Sequence, residues 1–310
     1  MKITALAGGV GGAKMAQGLT ELLEPQDFSV IVNTADDFIH YGLNISPDLD
    51  TICYTLAKIV DSGKGWGIRN DTNVILNKLK FFGGPTWFAL GDVDIATHME
   101  RTRRLSSGET LTEVTTHLAR RWGIQHKVLP MSDDHVYTQL ETEELGVLSF
   151  QEYFVKHHFK PRVKKIFYSG IEQAQPSQSV LSALNDCDAV IICPSNPLLS
   201  IDPIIKMKGI VEILQKKFVV SVSPLIQNKS LKGPLSKILE EMGHSSGLQF
   251  IYDHYKKFLN CIIIDNKDAE SFFYDSASGI IALTKDIYLP DLNNRVRLAQ
   301  EILQFLNNKV

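Results

Sequence analysis

Acidic side chains crowd two short stretches of this 310-residue chain. The first, NTADDFIHYGLNISPDLDT, carries Asp36, Asp37, Asp48 and Asp50. The second, GDVDIATHMERTRRL, carries Asp92 and Asp94, followed by His98, Arg101 and Arg104. Carboxylates beside a polar substrate can take a proton from a hydroxyl. They can also hold magnesium, which binds one or two of them together with phosphate oxygens; Asp37 and Asp50 are the ligands expected here. Plainer uses compete. Asp50 would cap the helix TICYTLAKI, Asp48 follows Pro47 in a turn, and the arginines fit a solvated helix face.

The anion for these acids is announced at the start of the chain, in MKITALAGGVGGAK. Gly8, Gly9, Gly11 and Gly12 end an apolar run, and Lys14 follows. Neither G-x-G-x-x-G nor G-x-x-x-x-G-K-[ST] fits, because Lys14 takes the third glycine position of the first and Ala13, Lys14 and Met15 end the second. The physics of such loops survives: glycine admits positive φ and close approach, and a following helix N-terminus attracts phosphate. Two glycines would serve a plain strand-to-helix turn; four and a lysine favour an anion site. Ser195 and Asn196 in PSNPLLSI, and Ser223 and Lys232 in SPLIQNKSLKG, are further donors for a phosphorylated nucleotide.

The elements that must position these residues are strands and helices in alternation. Runs at Lys2–Ala7, Phe28–Asn33, Val163–Tyr168, Ala189–Cys193, Phe218–Val222 and Cys261–Asp265 are nearly continuous in aliphatics, as parallel strands covered on both faces are. Helical patterns follow most of them, including Ala13–Leu23, Pro203–Gln215 and Leu292–Asn307. The expected fold is α/β, a Rossmann-like three-layer core with a mostly parallel sheet. Residues 1–50 and 163–310 form this core, and residues 51–162 a mostly helical insertion that completes the site. Helices are expected there over Ile52–Ile59, Ala96–Leu105 and Phe150–His157, with a short strand at His126–Leu129. Ligands bind such sheets beyond the carboxyl ends of the strands.

Composition sets outer bounds. A net charge of −3 argues against nucleic acid as partner. No apolar run approaches the roughly 20 residues of a membrane span, and the first residues enter a core strand, unlike a signal peptide. Cys53, Cys187, Cys193 and Cys261 are scattered without a C-x-x-C pair, which suits thiols in a reducing cytoplasm.

Several ordered stretches taken together resemble the 2-phospho-L-lactate transferase family of deazaflavin coenzyme (factor 420) biosynthesis in methanogens and actinobacteria. They are LAGGVGGAK, NTADDF, SPDLDT, WFALGD with ATH, CPSNPLLSI, SVSPLI with LKGP, and the SGL…HY…ID run from Ser246 to Asp265. The resemblance implies a magnesium-dependent homodimer. It would transfer a phospholactyl group from a lactyl diphosphoguanosine, or an enolpyruvyl analogue, to the terminal hydroxyl of the deazaflavin Fo, releasing GMP. It implies that Gly8 to Gly12 cradle the donor phosphates, with Asn33 and Thr34 beside them, and that Ser195 and Asn196 hold the guanosine. Asp50 would stand at the reacting centre, supported by Asp36. Trp87, Leu90, Gly91, Asp92, Asp94, His98 and Arg101 would flank the acceptor. One departure stands out: the family motif is G-D-R-D, and this chain has Val93 in place of the arginine, with Arg101 a candidate to compensate. The competing reading is a nucleotide-sugar-binding regulator of the same superfamily, which would bind without turnover.

Overall fold

The computed structural model describes residues 1–230, 233–244, 246–270, 272 and 276–310. The chain opens with β1 (Ile3–Ala7), every residue buried, and passes directly into α1 (Gly9–Thr20). Then come β2 (Phe28–Val32) and a hairpin of β3 (Phe38–His40) and β4 (Leu43–Ile45). Four helices follow: α2 (Pro47–Leu56), α3 (Val74–Phe81), α4 (Asp92–Ser106) and α5 (Leu111–Arg121). Next are β5 (Lys127–Pro130), β6 (Tyr137–Thr142), β7 (Gly146–Ser149) and β8 (Val163–Ser169). The remainder runs α6 (Gln178–Asp186), β9 (Ala189–Ile192), α7 (Asp202–Ile205), α8 (Ile210–Leu214) and β10 (Phe218–Val222). Two short strands, β11 (Leu225–Ile226) and β12 (Lys229–Ser230), precede α9 (Leu235–Glu241), α10 (Gly247–Tyr255), β13 (Cys261–Asp265), β14 (Ile281–Lys285) and α11 (Leu292–Asn307).

Seven strands form one parallel sheet in the order β14-β13-β10-β9-β1-β2-β5. Apolar clusters cover both of its faces, one including Met15, Leu19, Leu298 and Ile302 from α1 and α11, the other Leu184, Ile204 and Ile251. This is the α/β core expected from the aliphatic runs. The order reverses between β1 and β9, so the loops after these two strands, Gly8 onward and Pro194 onward, open side by side at the carboxyl edge.

Two strands change places relative to expectation. Val163–Tyr168 is not a core strand: β8 pairs antiparallel with β6 in a separate sheet, β7-β6-β8. Lys164 and Lys165 are exposed, and a central parallel strand, covered on both faces, has no room for them. Conversely, β5 from the expected insertion joins the main sheet beside β2, as an edge strand where Pro130 is tolerated. The sheet therefore does not change at residue 163, and the limit at residue 50 falls inside α2, which packs along α1. The stretch 51–162 has its α-helices α2 to α5 in its first part; after α5 it is mainly strands with one helical turn at Glu152–Lys156.

Other differences are local. The long helix expected over Pro203–Gln215 is two short ones, α7 and α8, divided at Gly209, whose φ of 84° is left-handed. Phe150–His157 holds only a π-helical turn, Glu152–Lys156.

Candidate active site

The glycines that read as a loop are the first turn of α1, with Gly8 as its N-cap. Their lack of side chains is mostly a matter of fit. A Cβ on Gly11 would strike the Pro194 carbonyl oxygen, one on Gly12 the Ser195 hydroxyl, and one on Gly8 both Asp48 and Ser200. Gly9 also requires its φ of 61°. Ser195 Oγ accepts from Gly8 N at 3.1 Å and donates to Gly8 O at 2.8 Å, so the loops after β1 and β9 are locked together. Asn196 Oδ1 accepts from the N–H groups of Leu198 and Leu199 and caps the turn that follows.

Asp48 is the third part of this lock, at a position where the sequence offered a turn residue as readily as a functional one. Its Oδ1 accepts from Gly9 N at 2.8 Å and its Oδ2 from Asn33 Nδ2 at 3.0 Å. Burial pushes its carboxyl up to about 6, although both hydrogen bonds oppose the shift. Burial also raises Asp36 well above the ordinary carboxylate range, and the charge of Asp48 adds to it.

Asp50 belongs to a second cluster. The Arg101 guanidinium grips it with both terminal nitrogens, Nη1 to Oδ2 at 3.1 Å and Nη2 to Oδ1. Burial pulls the Arg101 pKa down, but Asp50 outweighs this and holds it above the ordinary value. Arg101 Nη1 also lies 3.0 Å from His98 Nδ1. A guanidinium can only donate, so Nδ1 accepts, and the ring proton sits on Nε2, 3.2 Å from Asp94 Oδ1. Asp94 Oδ1 accepts a further bond from Tyr54 OH at 2.7 Å. Burial works against the Asp94 charge, yet His98, Tyr54 and Arg101 together hold its pKa below the usual range.

Most of these residues face one cleft of about 690 Å³, within the range of small-molecule sites. Of the residues expected from sequence, Gly8, Gly9, Gly11, Lys14, Asp36, Asp50, Trp87, Leu90, Asp94, His98, Ser195, Asn196 and Ser223 line it. Others do not. Gly12 packs against Ser195 and Ala7, and Asn33 spends its amide on Asp48 and Leu199 O beneath the cleft. Thr34 is buried in the turn after β2. Asp37 is half-buried and accepts from Ser46 Oγ at 2.6 Å. Gly91 packs on Asp71, and Asp92 accepts from the N–H groups of Val74 and Ile75 at the start of α3. Arg101 stands behind Asp50. Lys232 lies outside the described residues. Val93 is exposed, so the guanidinium that meets Asp50 comes from Arg101, two turns further along α4.

The sequence reading also missed a wall. Phe150 and Phe154, stacked with centroids 5.4 Å apart, line the cleft with Val155 and His158. Trp87 and Phe88 form another aromatic side, packed with Phe38 and His40. Phe150 and Phe154 are four residues apart and read as one face of a helix, a spacing that a core-facing helix shares with a cleft wall. The donor set suits a hard cation in part. Asp36, Asp48, Asp50 and Asp94 offer carboxylate oxygens to the cleft, and Asp36 Oδ1 is buried without a hydrogen-bond partner among the described residues. Asp50, Asp94 and His98 bring ligand atoms within 4.8 Å of one another, but both ring nitrogens of His98 face groups of the chain. Asp37 does not reach the cleft.

A profile of 2-phospho-L-lactate transferase CofD matches residues 3–295. The chain belongs to the CofD family. Curated CofD relatives agree along nearly their full length. The 2-phospho-L-lactate transferase of Methanosarcina acetivorans is 37% identical, over 96% of this chain and 97% of that protein. That of Methanocaldococcus jannaschii is 35% identical over 98% and 97%. A Streptomyces coelicolor relative at 35% identity, covering 98% and 97%, is named phosphoenolpyruvate transferase. CofD relatives thus occur in bacteria as well as methanogens, and identity does not separate the two donor types. Among solved structures, a UPF0052 family protein from Bacillus halodurans superposes with a TM-score of 0.65 over 97% of this chain and 98% of its own, at 16% identity. That likeness concerns the fold. As a CofD protein the chain is an enzyme of the transferase class. Among the described residues, no helix is long and apolar enough to cross a membrane.

Proposed function

We propose that the chain moves a 2-phospholactyl group from lactyl-2-diphospho-5′-guanosine to the terminal ribityl hydroxyl of Fo, releasing GMP. The observation that supports this most is the pairing, in one cleft, of an interlocked glycine turn with a carboxylate cluster between two aromatic sides. The first turn of α1 presents N–H groups without intrahelical partners and the positive end of the helix dipole, which suits the diphosphate. The aromatic sides suit a flat tricyclic ring. The ribityl oxygen forms a bond to the phosphorus carrying lactate, and the bond from that phosphorus to the GMP oxygen breaks. Asp50, held in plane by Arg101, accepts the proton of the attacking hydroxyl. Positioning supplies much of the acceleration in such transfers. Magnesium, when bound, would offset the charge on the diphosphate; the pair Asp36 and Asp48 would hold it, or the pair Asp50 and Asp94.

The site works in this reading as part of a homodimer and in the cytoplasm. Support for pairing comes from α3, which buries none of its residues: Val74, Phe81 and the following Phe82 are exposed by 68%, 77% and 72%. Contiguous apolar patches of this kind mark association surfaces. Incubation of the purified protein with Fo, the lactyl donor and magnesium tests the reaction: GMP and a phospholactylated deazaflavin are expected in equal amounts. Nucleotide binding with no GMP release would favour the regulatory reading instead.

A further inference from the structure

The His254–Tyr255 pair is among the stretches that carry the family resemblance, yet it lines no part of the cleft. His254, on α10, reaches Asp202, which follows directly on the 194–201 segment and is fully buried. Asp202 Oδ1 accepts from His254 Nε2 at 2.6 Å. Its Oδ2 lies 2.9 Å from Lys206 Nζ and accepts from the Tyr168 hydroxyl at 3.2 Å. The single proton of that hydroxyl is shared with Leu198 O, the nearer acceptor at 2.5 Å, inside the segment.

The contacts continue toward the cleft. One peptide unit on, Leu199 O accepts from Asn33 Nδ2 at 3.4 Å. The same amide binds Asp48, and Asp48 binds Gly9 N. A polar chain thus runs from α10 through the back of the 194–201 segment to the glycine turn. Its surroundings are apolar: Leu198, Leu199, Ile201, Ile204 and Tyr255 belong to one core cluster. A buried charge in such a setting is weak support for stability, since apolar side chains of similar volume often serve as well. What a carboxylate tied to β8 and α10, and to Lys206 at the end of its own helix, does supply is a single arrangement of the backbone beside it.

We propose that Asp202 is a positioning residue that sets the 194–201 segment against the glycine turn and so governs affinity for the donor nucleotide. The inference rests on the reading that the cleft takes a guanosine diphosphate-linked donor. Asp202→Leu removes the carboxylate without leaving a buried charge in its place. Tyr168→Phe removes only the hydroxyl that ties it to Leu198 O.

The test is calorimetric titration of GDP with magnesium, joined to steady-state kinetics with each substrate varied and to thermal unfolding. Wild-type protein is expected to bind GDP. Asp202→Leu should bind it about tenfold more weakly and raise the donor KM by a similar factor, with kcat and the Fo KM within about twofold. Tyr168→Phe should move the same two quantities by about threefold or more. A purely structural Asp202 would lower the unfolding temperature without this split between substrates. GDP affinity within twofold of wild type in a folded Asp202→Leu would overturn the proposal. If that variant does not fold, unchanged affinity in Tyr168→Phe overturns it. Wild-type protein that bound no GDP would overturn the donor reading itself, and the inference with it.

Discussion

Asp50 and Arg101 make the sharpest residue-level forecasts. Asp50→Asn keeps the shape of the side chain and loses the proton acceptor. Turnover should fall at least about 10²-fold while GDP affinity stays near wild type; near-normal turnover would remove Asp50 from the chemistry. Arg101→Lys keeps a charge but not the fork that grips both carboxylate oxygens, so kcat should drop while the fold persists. Rates equal to wild type in that variant would show that the grip is dispensable. Asp48 sets a pH signature. Its carboxyl is raised by burial from 3.8 to about 6. Between those values the folded protein holds more protons than the unfolded chain, so stability falls as pH rises through that window. A cation competes for these oxygens only after the protons leave. Magnesium should therefore raise the unfolding temperature at pH 7.5 and scarcely at pH 5, and equal shifts at both would detach the metal from Asp36 and Asp48. The polar part of the cleft was legible because its residue types are rare in that density: glycines with a lysine, and carboxylates gathered in two short stretches. Asp37 and Asp92 misled because an acid beside a site looks like an acid in it, and only the structure shows Ser46 and the start of α3 occupying them.

One error recurs among the elements and has one cause. Helices expected from Ala13, Ile52 and Ala96 begin at Gly9, Pro47 and Asp92. Glycine, proline and aspartate are poor helix formers by propensity, so each first turn read as loop. Tertiary contact overrides propensity here, since the close approach of Pro194 and Ser195 is what the glycines permit. Asp50 accordingly is no N-cap; Ser46 holds that place and Asp50 stands in the first turn of α2. α11, with ordinary residues and the Asp291 cap, coincides with the expected Leu292–Asn307. Gly11→Ala tests the interpretation. Its methyl would meet a backbone oxygen that cannot swing aside, so a loss of about 2 kcal/mol or more is expected, together with weaker GDP binding. Denaturant unfolding that placed the variant within 0.5 kcal/mol (about the spread of neutral surface changes) would show that the two loops are not tightly joined.

For the whole molecule, the exposed face of α3 predicts a change of assembly. Phe81→Glu with Phe82→Glu should convert the dimer proposed above to a monomer in sedimentation without loss of secondary structure; an unchanged mass would place any pairing elsewhere, and a monomeric wild type would remove the pairing. The parallel core was legible because its strands are almost unbroken in Ile, Val and Ala; β14, IALTK, escaped notice because it is only half-buried at the sheet edge. The order of the strands has one more consequence, for synthesis. β1 takes β9 as a neighbour, and the pairing of Ile3 with Ala189 spans most of the chain. Until the ribosome has delivered that distant partner, one side of the first strand stays unpaired and apolar. Contacts this remote slow folding and leave the nascent chain exposed to aggregation, so the N-terminal half made alone should need a chaperone and bind no nucleotide.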